Sequence, residues 1–357
     1  MQEILTMPTK NCQNIIFLPS KKIGLSMKTN LKKKYKKTKQ RTKKKIMIKV
    51  IFMATPEISI NALDALNKSE DFEVCAVVTQ CDKPAGRGNK IQFSPVKKYA
   101  IENNIPVFQP KSIRKEPEIQ AELKKLNPDY LLTFAFGQIL SREVLDIPKI
   151  ATINLHASLL PKYRGANPIQ RCLINGDEET GICTMITEEG LDSGDVCLSE
   201  KIQITENMNF KELHDKISEL APDLIIKTLK GLVDKTITPQ KQDESLVTFA
   251  NKLTKEDELI KNDMTALQVH NLVRGIYPCA YFIYNQKRIK VLKTLLEDKN
   301  TKHSKFGEVL SISKKGIEIS TNEGSFILST LKPEGKGEMP ASAWVNGAKI
   351  KVGDFLL

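Results

Sequence analysis

Residues 129–156 read DYLLTFAFGQILSREVLDIPKIATINLH. DYLLTFAF at 129–136 is an apolar run of strand length, as expected for a strand buried on both faces. A short helical pattern follows near 141–145, and ATINL at 151–155 returns to a strand. Strand, helix and strand at this spacing predict a βαβ unit, which needs a parallel sheet.

The same alternation runs upstream. IKVIFM at 48–53 is a buried strand, and residues 57–68 have helical spacing with Ile58, Ala62, Leu63 and Leu66 apolar. VCAVVT at 74–79 is a second strand. Ser94-Pro95 opens a helix running through Val96, Tyr99 and Ala100 to Asn103, because a hydroxyl N-cap followed by proline suits a first turn. PVFQ at 106–109 reads as a short strand and 116–126 as a helix. The predicted fold class is α/β: a Rossmann-like, mostly parallel sheet with right-handed crossovers.

The period changes after about residue 237. ITPQKQDESLVTFANKLT is polar and turn-rich and reads as a linker, and residues 264–274 look helical. Short alternating strands follow at 280–293, 306–321 and 324–333, with turn-like NQ and KKG steps. They predict a small C-terminal β-barrel of the oligonucleotide-binding (OB) type.

Composition bounds the function. The 357 residues are 40% hydrophobic and 27% charged, which fits a soluble globular chain of about two domains. No apolar run reaches the roughly 18 residues of a membrane span, so no membrane partner is expected. Seven cysteines (12, 75, 81, 172, 183, 197, 279) form no C-x-x-C pair. Reduced thiols in a cytosol-like compartment are expected, with no structural metal.

The net charge of +13 lies wholly in residues 1–46, which hold 14 Lys and Arg against Glu3 alone. The body is neutral. Residues 252–357 are net +5, compatible with RNA docking there. The block KTNLKKKYKKTKQRTKKK at 28–45 is expected to be disordered. Met47 then reads as the working start, with a transit segment or a non-specific RNA-binding arm as the alternatives.

PAGRGNK at 84–90 lacks the spacing of a phosphate loop. The turn after the first strand reads MATPE, with no GxGxxG, so a nicotinamide site is not expected. The informative run is INLHASLLPKYRGANPIQR at 153–171. Asn154 and His156 are two apart at a strand end, so alternation sends both to one face, beyond the carboxyl edge where α/β sheets bind ligands. A carboxamide beside an imidazole suits a carbonyl oxygen that gains negative charge. EGLDSGDV at 189–196 holds Asp192 in a tight turn, with Asp195 as the rival; a nearby carboxylate would help to keep His156 cationic.

NLHASLLPKYRGANPIQ, followed 36 residues after the histidine by Asp192 in GLDSGD, resembles the folate-dependent formyltransferases. TQCDKPAGRGNKIQFSPVK at 79–97, VFQPKSI at 107–113, FAFGQIL at 134–140 and DESLVTFANKLTKED at 243–257 are similar to members acting on methionyl-tRNA. The resemblance covers about 47–357. It implies a formyltransferase domain at 47–236, a linker at 237–256 and an OB-like tRNA-binding domain at 257–357, after the 1–46 tail.

The implied reaction moves the formyl group of 10-formyltetrahydrofolate to the free α-amine of initiator methionyl-tRNA, without a metal. Asn154, His156 and Asp192 correspond to the catalytic triad. Ser158, Leu159, Leu160 and Pro161, with the backbone of Phe136 and Gly137, would contact the folate. The 80–92 loop, with Arg87 and Lys90, would engage tRNA, and Lys162 and Arg164 would reach phosphates near the site mouth. Lys287, Arg288, Lys290 and Lys293 cluster on the barrel, as a tRNA face or a solvated strand face. Departures from the family pattern are Ala54, Cys81 and Cys279. A monomer in the bacterial cytoplasm is expected, or an organelle if the tail is a transit segment. The alternatives are a formyltransferase for a small amine (glycinamide ribonucleotide or a nucleotide-linked amino sugar) and a non-catalytic RNA-binding homologue.

Overall fold

A computed structural model describes residues 47–85 and 90–357. The expected disorder at 28–45 and the placement of Arg87 lie outside the described residues. The chain divides into two compact units after Ile153.

The first unit runs Ile48–Ala54 (β1), Ile60–Lys68 (α1), Phe72–Val78 (β2), the hairpin Lys83–Ala85 (β3) and Lys90–Gln92 (β4), then Pro95–Glu102 (α2), Val107–Phe108 (β5), Pro117–Lys125 (α3), Tyr130–Phe134 (β6) and Arg142–Leu145 (α4). Its sheet order is β6–β1–β2–β5, all parallel. Ser94 caps α2 by accepting from the Lys97 amide at 3.1 Å. Ile51, Met53, Val78, Leu131 and Leu123 form a continuous core on one side of the sheet. Strand β6 stops at Phe134, two residues before the apolar run ends. Ala135 turns to φ +51°, outside the extended region.

The division falls within Ala151–His156 (β7). The second unit continues with Arg164–Gly165 (β8), Pro168–Asn175 (α5), Glu179–Ile186 (β9), Val196–Gln203 (β10), Phe210–Val233 (α6), Phe249–Ala250 (β11) and Ala266–Gly275 (α7). Strand β9 lies between β7 and the antiparallel β10. Helix α6 went unrecognised from sequence, although its signals are present. Asn209 and Glu212 form a capping box, and Leu213, Ile217, Leu224 and Ile225 bury one face.

The remainder is Tyr281–Tyr284 (β12), Lys287–Lys302 (β13), Val309–Ser313 (β14), Gly316–Ser320 (β15), Glu323–Pro333 (β16), Met339–Pro340 (β17) and Ala341–Ala348 (α8). The OB-like antiparallel sheet has the order β12–β13–β16–β15–β14, with β17 on β16. Strand β13 is one long strand, not a short one; irregularities near Val291 and Asp298 let it bend. The expected NQ turn is Asn285–Gln286, with φ +48° and +62°. Trp344 of α8, an element the sequence reading omitted, sets its edge on Phe282 and Tyr284 over the core.

Segment 237–256 is not a free linker. Gln240 and Val196 exchange both backbone hydrogen bonds at 2.8 Å, and β11 pairs in parallel with β8.

Candidate active site

Strand β7 delivers Asn154 and His156 at its carboxyl end, with Leu155 buried between them. His156 is itself buried, at 5% exposure. Its Nε2 lies 2.9 Å from the Tyr163 carbonyl. A carbonyl only accepts, so Nε2 carries a proton. Nδ1 lies 3.7 Å from Asp192 Oδ2, an ion-pair separation rather than a direct hydrogen bond. Of the two carboxylates in the turn, Asp192 is therefore the one that faces His156.

The turn that carries Asp192 is tightly specified. The Ile186 amide donates to the Asp195 carbonyl at 2.9 Å and closes it. Asp192 sits at φ +48°, a left-handed conformation that Asp tolerates better than most residues. A Cβ on Gly194 would collide with the Ile186 carbonyl. The Gly165 amide donates to Asp192 Oδ2 at 2.8 Å, fixing the oxygen nearest the ring.

The segment between these residues is equally constrained. Ser158 Oγ donates to the Lys162 carbonyl at 2.6 Å, the Leu160–Pro161 bond is cis, and Leu159 packs where a Cβ on Gly181 would stand. Tyr163, at φ +63°, turns its carbonyl to His156 while its hydroxyl donates to Asp177 at 2.8 Å. Burial pushes the Tyr163 phenol above its ordinary range, so it stays protonated. In the first unit, the buried Phe136 has its carbonyl held by Gln80 Nε2 at 3.1 Å, and Gly137 takes φ +76° against the same glutamine side chain.

The basic residues separate. Lys162 is exposed. Arg164 corrects an expectation: its side chain is buried and donates to Gln242 Oε1 at 3.0 Å and to both Glu244 oxygens at 2.7 and 3.2 Å. Its guanidinium is held inside the protein by these two side chains. Lys287, Arg288 and Lys293 are exposed and Lys290 is half-buried. Arg288 stacks 3.9 Å over the Tyr281 ring. Lys332, which sequence order hides, is paired with Lys290 across β13 and β16, so the two share one sheet face.

Sequence reasoning also missed Gly165, Gln242 and Thr248. The signal lay in the quoted GANPIQ and DESLVTFA neighbourhoods, but only the pairing of β8 with β11 brings them together. Of the departures, Ala54 is fully buried at the end of β1, and Cys81 donates to the Gln109 carbonyl at 3.2 Å. Burial pushes the thiols of Cys183 up to about 12 and of Cys172 and Cys197 up to about 11. None of these three is a thiolate nucleophile at neutral pH.

Among the described residues, no group of three His, Cys, Asp or Glu is placed to hold a metal ion, and no helix is long and apolar enough to cross a membrane. A cavity of about 280 Å³ is lined by Asn209, His270, Arg274 and Lys293 among others, and by none of Asn154, His156 or Asp192.

Comparison with known proteins gives this geometry its setting. Residues 46–229 match the formyl transferase family and residues 252–349 match its C-terminal domain. The methionyl-tRNA formyltransferase of Clostridium novyi (strain NT) is 42% identical over 311 residues, covering 87% of this chain and 100% of the relative. That of Clostridium perfringens (strain 13 / Type A) has the same identity and coverage. The crystal structure of the N-formyltransferase from Helicobacter canadensis, in complex with folinic acid and dTDP-3-aminofucose, superposes with a TM-score of 0.60 at 20% identity. The match covers 79% of this chain and 99% of that one, a likeness of fold alone. With two domain matches in order and relatives of this identity aligned over their full length, the chain belongs to the methionyl-tRNA formyltransferase family of formyl transferases.

Proposed function

We propose that the chain transfers the formyl group of 10-formyltetrahydrofolate to the α-amine of initiator methionyl-tRNA, with Asn154, His156 and Asp192 as its catalytic residues. The observation that carries the reading is the buried His156 ring, placed at the end of β7 between the Tyr163 carbonyl and the Asp192 carboxylate.

Attack of a neutral amine on a formyl carbon builds negative charge on the formyl oxygen. The donors suited to that oxygen are the Asn154 carboxamide and the His156 ring. Placed before the reaction begins, one such donor is typically worth about 3 kcal/mol. With Nε2–H committed to Tyr163, the Nδ1 edge is the one that faces Asp192. A water ordered by the Asp192 carboxylate would carry the proton lost by the attacking amine to N10 of the folate as the formyl–N10 bond breaks. The Ser158–Pro161 segment, fixed by the Ser158 Oγ bond to the Lys162 carbonyl, suits a rigid wall for the folate cosubstrate, and Phe136 and Gly137 are assigned to it on resemblance alone.

For tRNA, we assign the exposed Lys162 and the barrel residues Lys287, Arg288, Lys290, Lys293 and Lys332 to phosphate contact. Arg87 and Lys90 are assigned to the acceptor stem on resemblance alone. The free thiols of Cys75, Cys81, Cys172, Cys183, Cys197 and Cys279 fit a reducing, cytosol-like setting.

The test is formyl transfer from labelled 10-formyltetrahydrofolate to methionyl-tRNA, glycinamide ribonucleotide and a nucleotide-linked amino sugar. Label on initiator methionyl-tRNA is expected. Label only on a small amine refutes the tRNA reading, and label on none refutes the enzyme reading.

A further inference from the structure

We infer that Gln242, in the segment joining the two matched domains, is a positioning residue that holds Asp192 against His156; the inference rests on the catalytic roles proposed above. The Gln242 carboxamide is fully committed. Its Nε2 donates to the Asp192 carbonyl at 2.9 Å and to the Gly194 carbonyl at 2.7 Å. Its Oε1 accepts from Arg164 Nε at 3.0 Å. One amide thus ties both sides of the left-handed turn that aims the Asp192 carboxylate.

Arg164 sets Gln242 in turn. The guanidinium spends Nε on Gln242 and its two remaining nitrogens on Glu244, a forked pair that fixes the plane of the group. The Arg164 backbone is gripped by the same segment: its amide donates to the Thr248 carbonyl at 2.9 Å, and the Tyr163 amide donates to Thr248 Oγ1 at 2.9 Å. Tyr163 presents the carbonyl that orients His156, and Gly165 presents the amide that holds Asp192 Oδ2. Residues 240–250 therefore brace the carboxylate through Gln242 and the imidazole through Thr248.

An exposed connector needs none of these contacts. The left-handed conformation of Asp192 is costly and persists where the surrounding structure over-determines it, and Gln242 adds to the restraint within the turn. Gln242 touches no reacting atom on this reading. Its effect runs through the distance between Asp192 and His156.

The experiment uses the full chain with Gln242→Glu, an isosteric change that removes the NH2 donor and leaves an acceptor for Arg164. With methionyl-tRNA as acceptor, kcat falls at least tenfold while the KM for each substrate stays within about threefold. In an Asp192→Asn background the same change costs less than twofold, because the residue it positions is already lost. A substrate-independent readout is amide hydrogen exchange. Gly165 N–H exchange speeds up at least tenfold in Gln242→Glu while the α6 amides keep their protection. Unchanged Gly165 exchange overturns the inference, as does a full additive loss with Asp192→Asn or a rise in KM alone. If the unsubstituted chain formylates no methionyl-tRNA, the function reading fails on its own, and Gly165 exchange still decides whether Gln242 holds Asp192.

Discussion

His156 Nδ1 and Asp192 Oδ2 stand 3.7 Å apart although 36 residues separate them, and the same oxygen accepts the Gly165 amide at 2.8 Å. The gap is too long for a hydrogen bond and short enough for a charge to be felt. The His156 ring is itself pinned by the Tyr163 carbonyl, an arrangement suited to charge that appears only during reaction.

Gly165 is the joint of this arrangement. Its φ is +119°, and an added Cβ would stand 2.9 Å from the Ala250 carbonyl. Gly165→Ala is expected to lose about 1–3 kcal/mol of stability from the strained backbone. Activity should fall further than that loss alone requires, because the amide that holds Asp192 is displaced. Urea unfolding beside kcat measures both; wild-type values for both would remove Gly165 from the account.

The two basic residues of the KYRG stretch should behave differently. Lys162→Ala is expected to raise the KM for methionyl-tRNA with little change in kcat. Arg164→Ala is expected to lower kcat and melting temperature instead, because its guanidinium holds Gln242 and Glu244. Steady-state kinetics with a varied tRNA concentration separate the outcomes. A pure KM effect at Arg164 would return it to the phosphate contacts.

Lys290 and Lys332 are register partners across β13 and β16. Changing either to Glu should weaken tRNA binding and flatten its dependence on salt, with the folate KM unmoved. A solvated strand face would leave the salt dependence as it was.

The buried thiols give a pH prediction. Burial pushes the Cys183 thiol up to about 12, against about 8.5 in an unfolded chain. The neutral thiol is thus favoured in the folded state. Its contribution is complete below the unfolded value and is lost as the pH rises toward the folded one. The unfolding free energy of the parent relative to Cys183→Ala should therefore shrink between about pH 9 and pH 11. A constant difference over that range would contradict the burial argument.

Much of the first unit was legible because strand and helix periods differ and alternate from Ile48 to Ile153. The pair at Asn154 and His156 was legible for the same reason: a two-residue step on a strand fixes its face. Arg164 was misread because exposure cannot be seen in a run of letters. KYRG looks like surface charge until β11 folds over it. Gln242 was invisible for a related reason, since its three partners come from three separate segments. Lys332 gained its meaning only from register. Helix α6 carries a capping box and an apolar stripe, but Pro222 in its interior reads as a helix breaker in the sequence.

The most direct test of the central claim is single-turnover formyl transfer to methionyl-tRNA by the full chain and by His156→Ala, with the fold of each checked by circular dichroism. Loss of this donor is expected to slow transfer by about 10²–10³, with binding of both substrates retained. An equal single-turnover rate in a folded His156→Ala protein would contradict the account.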